Sequence, residues 1–231
     1  MIKKRLSDER GVTKFDWLDG RHTFSFGEYH DPKEMSFRSL RVINEDIVSP
    51  GGGFPTHPHR DAEIFTYVID GALQHRDSMG NESVIQAGNL QYMSAGSGVR
   101  HSEFNASKTD PVHLLQIWLL PNVSGGEPRY AEKQMGRDAK PNALTTLFAG
   151  MGSDDVIPIR QNAAIAFGRL DAGAELSLPQ THPHHWIQVI KGELSVLGQT
   201  LKAGDGLAIS KEQGIAVKAS TDTEFIAFHL E

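Results

Sequence analysis

The chain has 231 residues, a formal charge of −6 at pH 7 and no cysteine, which is enough chain for one large or two small domains. Residues 1 to 130 carry 14 basic and 17 acidic side chains and the remainder 9 and 12, so no basic face is set aside for nucleic acid or an anionic membrane. Disulfides, thiol catalysis and thiolate ligation are excluded together; no apolar run approaches the ~20 residues of a membrane span, and MIKKRLSDERG lacks a signal-peptide core, so a cytoplasmic protein is expected.

The first fifty residues read as strand-like pieces broken by turns: RHTFSFGEY, the turn HDPKE, then SFRSLRVINEDIV with Leu40, Val42 and Ile43 as apolar positions. SPGGG, residues 49–53, is a loop whose glycines let the chain turn sharply. It leads into FPTHPHRDAE, where His57 and His59 lie two apart, as do His101 and Glu103 in GSGVRHSEF. Residues i and i+2 of a strand share a face, so each pair aims two ligand-capable side chains at one point. Two such pairs on facing strands can close around one ion. Three imidazoles and a carboxylate suit Fe, Mn, Co, Ni, Cu or Zn, not the all-oxygen preference of Ca or Mg.

Between these pairs, IFTYVIDGALQH is rich in β-branched and aromatic residues and DSMGN reads as a hairpin turn. Short strands with glycine turns continue through SVIQAGNLQYMSAGSG to VHLLQIWLLP, the pattern of an all-β barrel or sandwich. After Pro121 the texture becomes Gly, Pro and charge rich, which reads as a linker. The expected division is a metal-binding domain over 1–125, a linker over 126–142 and a second β domain over 143–231. The second block repeats the order of the first: THPHHWIQVIKGELSV is similar to THPHRDAEIFTYVIDGALQH. Aligned so, His182 falls on His57, His184 on His59, Gln188 on Glu63, Val217 on His101 and Ala219 on Glu103. The duplicated site keeps its first pair and loses its second, leaving His182, His184 and His185 as a remnant.

Other histidines have plainer readings. His75 precedes a polar turn and reads as an ordinary strand histidine; His22 and His30 flank an aromatic strand as structural residues; His113, in VHLLQIW, reads as a hydrogen-bonded core histidine. Phe54, Met93 and Phe104 are either walls of a pocket for a planar ligand or barrel core.

Gly51, five residues, then His57-x-His59-x3-Glu63 is similar to the first cupin motif, with the closing glycine one residue late at Gly71; Gly98-x2-His101 is similar to the second, with Gly96 where a proline is usual. With HTFSFGEYHDP, LRVINED, DSMGN, SAGSGVRHSE and QIWLLP, these strings resemble the pirin family of bicupins, among whose bacterial members are quercetin 2,3-dioxygenases. The resemblance covers most of residues 15 to 130; the last hundred residues resemble a degenerate second cupin. It implies an all-β bicupin of two tandem double-stranded β-helix (jelly-roll) barrels. It also implies one divalent transition metal per chain, iron(II) ahead of Zn, Co, Ni, Mn or Cu, on His57, His59, His101 and Glu103. Glu63, at the usual cupin glutamate position, then lies outside the ligand set and orients a ligating imidazole or an open-site water; on sequence grounds the two glutamates can exchange roles.

The implied reaction is cleavage of a small planar flavonol such as quercetin with O2 and release of carbon monoxide, with Glu103 as general base. Some pirins resemble metal-dependent modules that bind transcription factors or enzymes, so the alternative is a regulatory protein with a protein partner and no physiological catalysis. A cupin isomerase is disfavoured because strand alternation points Arg60 and Arg100 away from the ligand face.

Overall fold

The computed structural model describes residues 1–134, 139–153 and 155–231. Strand dominates: the described residues hold one 3-10 turn, Ser7–Glu9, and no α-helix, and among them no helix is long and apolar enough to cross a membrane. Two compact units divide the chain, Gly11–Gly136 and Met1–Arg10 with Arg137–Glu231.

The first unit has a seven-stranded antiparallel sheet ordered Arg129–Gln134, Asn89–Ser94, Glu63–Asp70, Val112–Leu119, Leu40–Val48, Leu18–His22, Gly11–Phe15, and a four-stranded sheet ordered Gly53–His59, Val99–Asn105, Ala72–Asp77, Glu82–Gln86. Alternating apolar residues make the inner faces stick: Leu73 and Ile85 of the small sheet pack on Val48, Val68, Val112 and Leu114 of the large one. Full burial of each such side chain stabilises by about 1.5–3 kcal/mol, so the barrel does not depend on its polar interior. The second unit repeats the plan, with a seven-stranded sheet from Ile2–Arg5 to Ile157–Pro158 and a four-stranded one.

The edges of these sheets revise the expected domain limits. Arg129–Gln134, placed in the linker by its charge, is a strand paired to Asn89–Ser94. Ile2–Arg5, placed in the first domain, pairs with Gly206–Ser210 of the second unit. Each supplies backbone donors and acceptors to an otherwise open sheet edge, and edge strands rich in charge have no apolar period for a sequence reading to find. Residues 135–138 of the expected linker lie outside the described residues.

Register also corrects the internal alignment. Each unit has a hairpin closed by a glycine at positive φ: Gly71 (78°) joins Glu63–Asp70 to Ala72–Asp77, and Gly192 (83°) joins His184–Lys191 to Glu193–Val196. A Cβ at Gly71 would meet the Pro111 carbonyl oxygen at 2.7 Å, so the tight turn needs glycine twice over. Counting from these glycines sets Val196 on His75. His75 pairs with Glu103 and Val196 with Val217, so Val217 stands where Glu103 does and Ile215 where His101 does. Leu178, which donates its N–H to the Ile215 carbonyl at 2.9 Å, stands where His57 does. The THPHH run is therefore no counterpart of Thr56–His59, and the barrel interior there is plain core.

His184 turns to the Ser210 hydroxyl. His185 and His229 are direct cross-strand partners on the inward face shared with Ile187, Val189, Phe225 and Ala227, and their Nδ1 atoms lie 2.8 Å apart. Burial first, then the neighbouring His185 and His182, push the His229 imidazole down to about 3; burial and the adjacent histidines lower His185 as well. The unfolded chain binds protons here below about 6.5 while the folded one does not, so stability is full above that pH and falls on acidification towards about 3, by up to about 1.4 kcal/mol per pH unit per imidazole. Urea titrations from pH 8 to 4 are expected to show this slope. Replacing both residues by Leu should reduce it to the part contributed by His59 and His101, which burial also holds down, and an unchanged slope would sink the assignment.

Candidate metal centre

The two sequence pairs meet because Gly53–His59 lies antiparallel to Val99–Asn105 with His57 opposite His101. Gly53 allows this approach, since a Cβ there would sit 2.4 Å from the Glu103 carbonyl oxygen. The register shifts between His101 and Glu103, so that Glu103 faces Phe54. This bulge includes Pro55, which lacks a ladder N–H. The Pro55 carbonyl instead accepts from His57 Nδ1 at 2.8 Å, which sets the tautomer and leaves Nε2 bare.

His57 Nε2 lies 3.0 Å from His101 Nε2, and the rings of His57, His59 and His101 stand 4.5 to 4.8 Å apart, with ligand-capable atoms all within 4.8 Å of one another. Two nitrogens each ~2.0–2.1 Å from one ion and at right angles are ~3 Å apart, so the spacing fits a divalent transition metal. Protonation fits too. Burial, then His101 and His57, hold His59 down to about 4 against the pull of Glu103. Burial also holds His101 down to about 4, with His57 and His75 adding to it and Glu103 and Asp77 opposing. Neutral imidazoles are what a cation needs.

Glu103 is fully buried beneath this triad. Burial alone would raise its pKa, but His101 and His75, with hydrogen bonds from Gln116 and Thr66, bring it below the ordinary carboxylate value. Thr66 Oγ1 donates to Oε1 at 3.1 Å and Gln116 Nε2 to Oε2 at 2.9 Å. Beside the site is a cavity of about 250 Å³. Its aromatic walls are Phe15, Phe26, Phe54 and Trp118, and His57, His59 and Glu103 also line it. Trp118 meets the His59 ring edge to face at 4.8 Å.

Glu63 lies elsewhere. Its oxygens accept from Tyr92 at 2.5 Å and Ser94 at 2.6 Å, and it belongs to neither cluster of metal-capable side chains among the described residues. The cause is a broken count. Asp61 has φ 49°, so alternation does not run through from His59, and on Glu63–Asp70 the inward residues are those in phase with Thr66. Glu63 thus clamps its strand to the neighbouring strand Asn89–Ser94.

Of the remaining sequence candidates, Arg60 and Arg100 are exposed, Phe54 lines the cavity, Met93 is core and Phe104 is partly exposed. His113 bonds Glu45 at 2.8 Å in a half-exposed position rather than in the core. His22 lines the cavity, held by Thr13 and Asn44 at 2.8 Å each. The reading of His75 as an ordinary strand histidine misses its place: it is fully buried, clusters with His101 and Glu103, and bonds Asp77 at 3.2 Å. His75-x-Asp77 is a third i, i+2 pair, and that spacing was the available signal.

Known proteins are similar to this chain over its whole length. The pirin family model matches residues 4–119 and that of the quercetinase C-terminal cupin domain matches 146–230. A protein of Escherichia coli K12 named quercetin 2,3-dioxygenase is 42% identical, over 100% of this chain and 99% of that one; a pirin-like protein of Caulobacter vibrioides is 37% identical over 98% of each. The crystal structure of YhhW from E. coli superposes with a TM-score of 0.95 at 40% identity, covering 100% of this chain and 98% of that one. The structure of that pirin in complex with nickel(II) gives 0.94 at 40% identity, covering 100% and 99%.

Proposed function

The chain belongs to the pirin family of bicupins, and from that premise we propose that it is a metal-dependent dioxygenase that cleaves a flavonol such as quercetin with O2 and releases carbon monoxide. The observation that carries this is the convergence of three imidazoles, with His59 and His101 held neutral by burial, and a buried carboxylate at the wall of an aromatic-lined cavity. His57, His59, His101 and Glu103 would hold one divalent transition metal, iron(II) or nickel(II). When bound, the ion supplies Lewis acidity that lowers the pKa of a coordinated oxygen.

The protein's own groups do the rest. Phe15, Phe26, Phe54 and Trp118 offer flat apolar surface to a planar ring system. Glu103, ionised at neutral pH, takes the flavonol hydroxyl proton and makes the substrate electron rich for reaction with O2. Gln116 and Thr66 fix the plane of that carboxylate, and burial excludes water that would compete for the proton.

The test follows the visible absorbance of quercetin, oxygen uptake and carbon monoxide release together. Turnover is expected with iron(II) or nickel(II) and not after chelation or under argon. Turnover without oxygen, or none with either metal, would shift the reading to an interaction module.

A further inference from the structure

Two buried nitrogens next to the candidate ligands have no hydrogen-bond partner: Nδ1 of His75 and Nδ1 of His101. Their protons can be assigned from what the opposite nitrogens do. The Asp77 carboxylate is fixed by the backbone N–H of Met79 at 2.9 Å and of Asn81 at 3.1 Å, and by the Asn81 side chain at 2.9 Å. A carboxylate acceptor 3.2 Å from His75 Nε2 places a proton there, which leaves Nδ1 as the nitrogen able to accept. For His101 the logic runs the other way. Its Nε2 is turned to His57, and if that nitrogen binds the ion, Nδ1 must carry the proton.

One ring thus presents a buried acceptor without a donor, and its neighbour a buried donor without an acceptor. The rings are 5.4 Å apart, and the ligand-capable atoms of His75, His101 and Glu103 lie within 4.8 Å of one another. Glu103 is the other nearby acceptor, but its oxygens receive Thr66 and Gln116, and in the proposed centre its remaining lone pairs face the ion and the substrate. Each unmet group is costly to leave buried, and a bond between the two would satisfy both. The strands favour this, because His101 is paired to Asp77 and Glu103 to His75. Tyr130 packs on His75 at 5.1 Å and 32°, holding the ring plane.

We propose that His75 is a positioning residue of the metal centre: anchored by Asp77, it accepts the Nδ1–H of His101 and so sets the tautomer, ring plane and basicity of that ligand. The inference rests on the reading of His57, His59 and His101 as ligands. A histidine ligand is ordinarily oriented by a direct bond to a carboxylate or carbonyl; here the carboxylate acts through an intervening imidazole.

The experiment measures nickel(II) affinity of the full chain by competition with a chromophoric chelator, with thermal melts to verify folding. Stoichiometric binding by the wild type that is lost in His101→Ala supports the ligand reading on its own; failure of the wild type to bind overturns both readings. His75→Met, which fills the space with only a weak thioether acceptor for the His101 proton, is expected to weaken binding about 10–100-fold and to shift the nickel absorption spectrum. His75→Gln, whose Oε1 can accept that proton, is expected to stay within about threefold of wild type. A His75→Met protein that binds nickel like the wild type, or a folded His75→Gln protein as weak as His75→Met, overturns the proposal. If His75→Met does not fold, nitrogen-resolved NMR of the zinc-loaded wild type decides. A His101 Nδ1–H bonded to the His75 nitrogen is expected, and a His101 Nδ1–H exchanging freely with water refutes it.

Discussion

His101→Ala is expected to give a folded protein that keeps less than about a tenth of the one equivalent of metal held by the wild type after dialysis. His101 is the pivot of the site, since it belongs to both clusters, with His57 and His59 on one side and His75 and Glu103 on the other. Removing it takes one nitrogen from the chelate and dissolves the preorganisation that lets the rest bind without further ordering. The barrel should survive, because its cores are built from Val48, Val68, Leu73, Ile85 and Leu114 and from Ile64, Met93 and Val99. Elemental analysis beside far-ultraviolet circular dichroism checks both halves of the expectation. Full metal content in a folded variant would remove His101 from the ligand set. Two tightly held ions in the wild type would make the second barrel a site in its own right, against the presence of Ile215 and Val217 where His101 and Glu103 stand in the first.

Glu103→Gln tests the chemical step. The substitution keeps the volume and an oxygen for the Thr66 hydroxyl to reach, but removes the charge and the capacity to accept a proton. With metal content normalised, turnover of a flavonol is expected to fall about 10²- to 10⁴-fold, the usual contribution of a positioned base. Because His101 and His75 and the Gln116 and Thr66 bonds draw the Glu103 pKa below its ordinary value despite burial, the base stays ionised well into acid. The wild-type rate should therefore show no loss assignable to this group between pH 7 and 5. A metal-loaded Glu103→Gln enzyme with turnover near that of the wild type would transfer the role of base elsewhere.

Local pattern carried much of this before any contact was known. The pairing of His57 with His59 and of His101 with Glu103 follows from the pleat of a single strand, which repeats every two residues whatever the strand packs against. The β class follows from short branched and aromatic runs between glycine turns, and a nitrogen and oxygen donor set from the absence of cysteine. What failed were inferences that crossed a break or joined distant segments. Asp61, at positive φ, breaks the alternation between His59 and Glu63, so the direction of Glu63 is not legible from the motif that contains it. Val217 was set on His101 by likeness of strings, whereas its cross-strand partner Val196 sets it on Glu103. Ile2–Arg5 and Arg129–Gln134 close edges far from where sequence order puts them. His75 acquires its place only because Ala72–Asp77 lies against Val99–Asn105. Side-chain direction along one strand is a local property of the backbone, legible in the order of residues. Which strands become neighbours, and in what register, is decided by burial and backbone pairing summed over the whole barrel, and so by the tertiary structure alone.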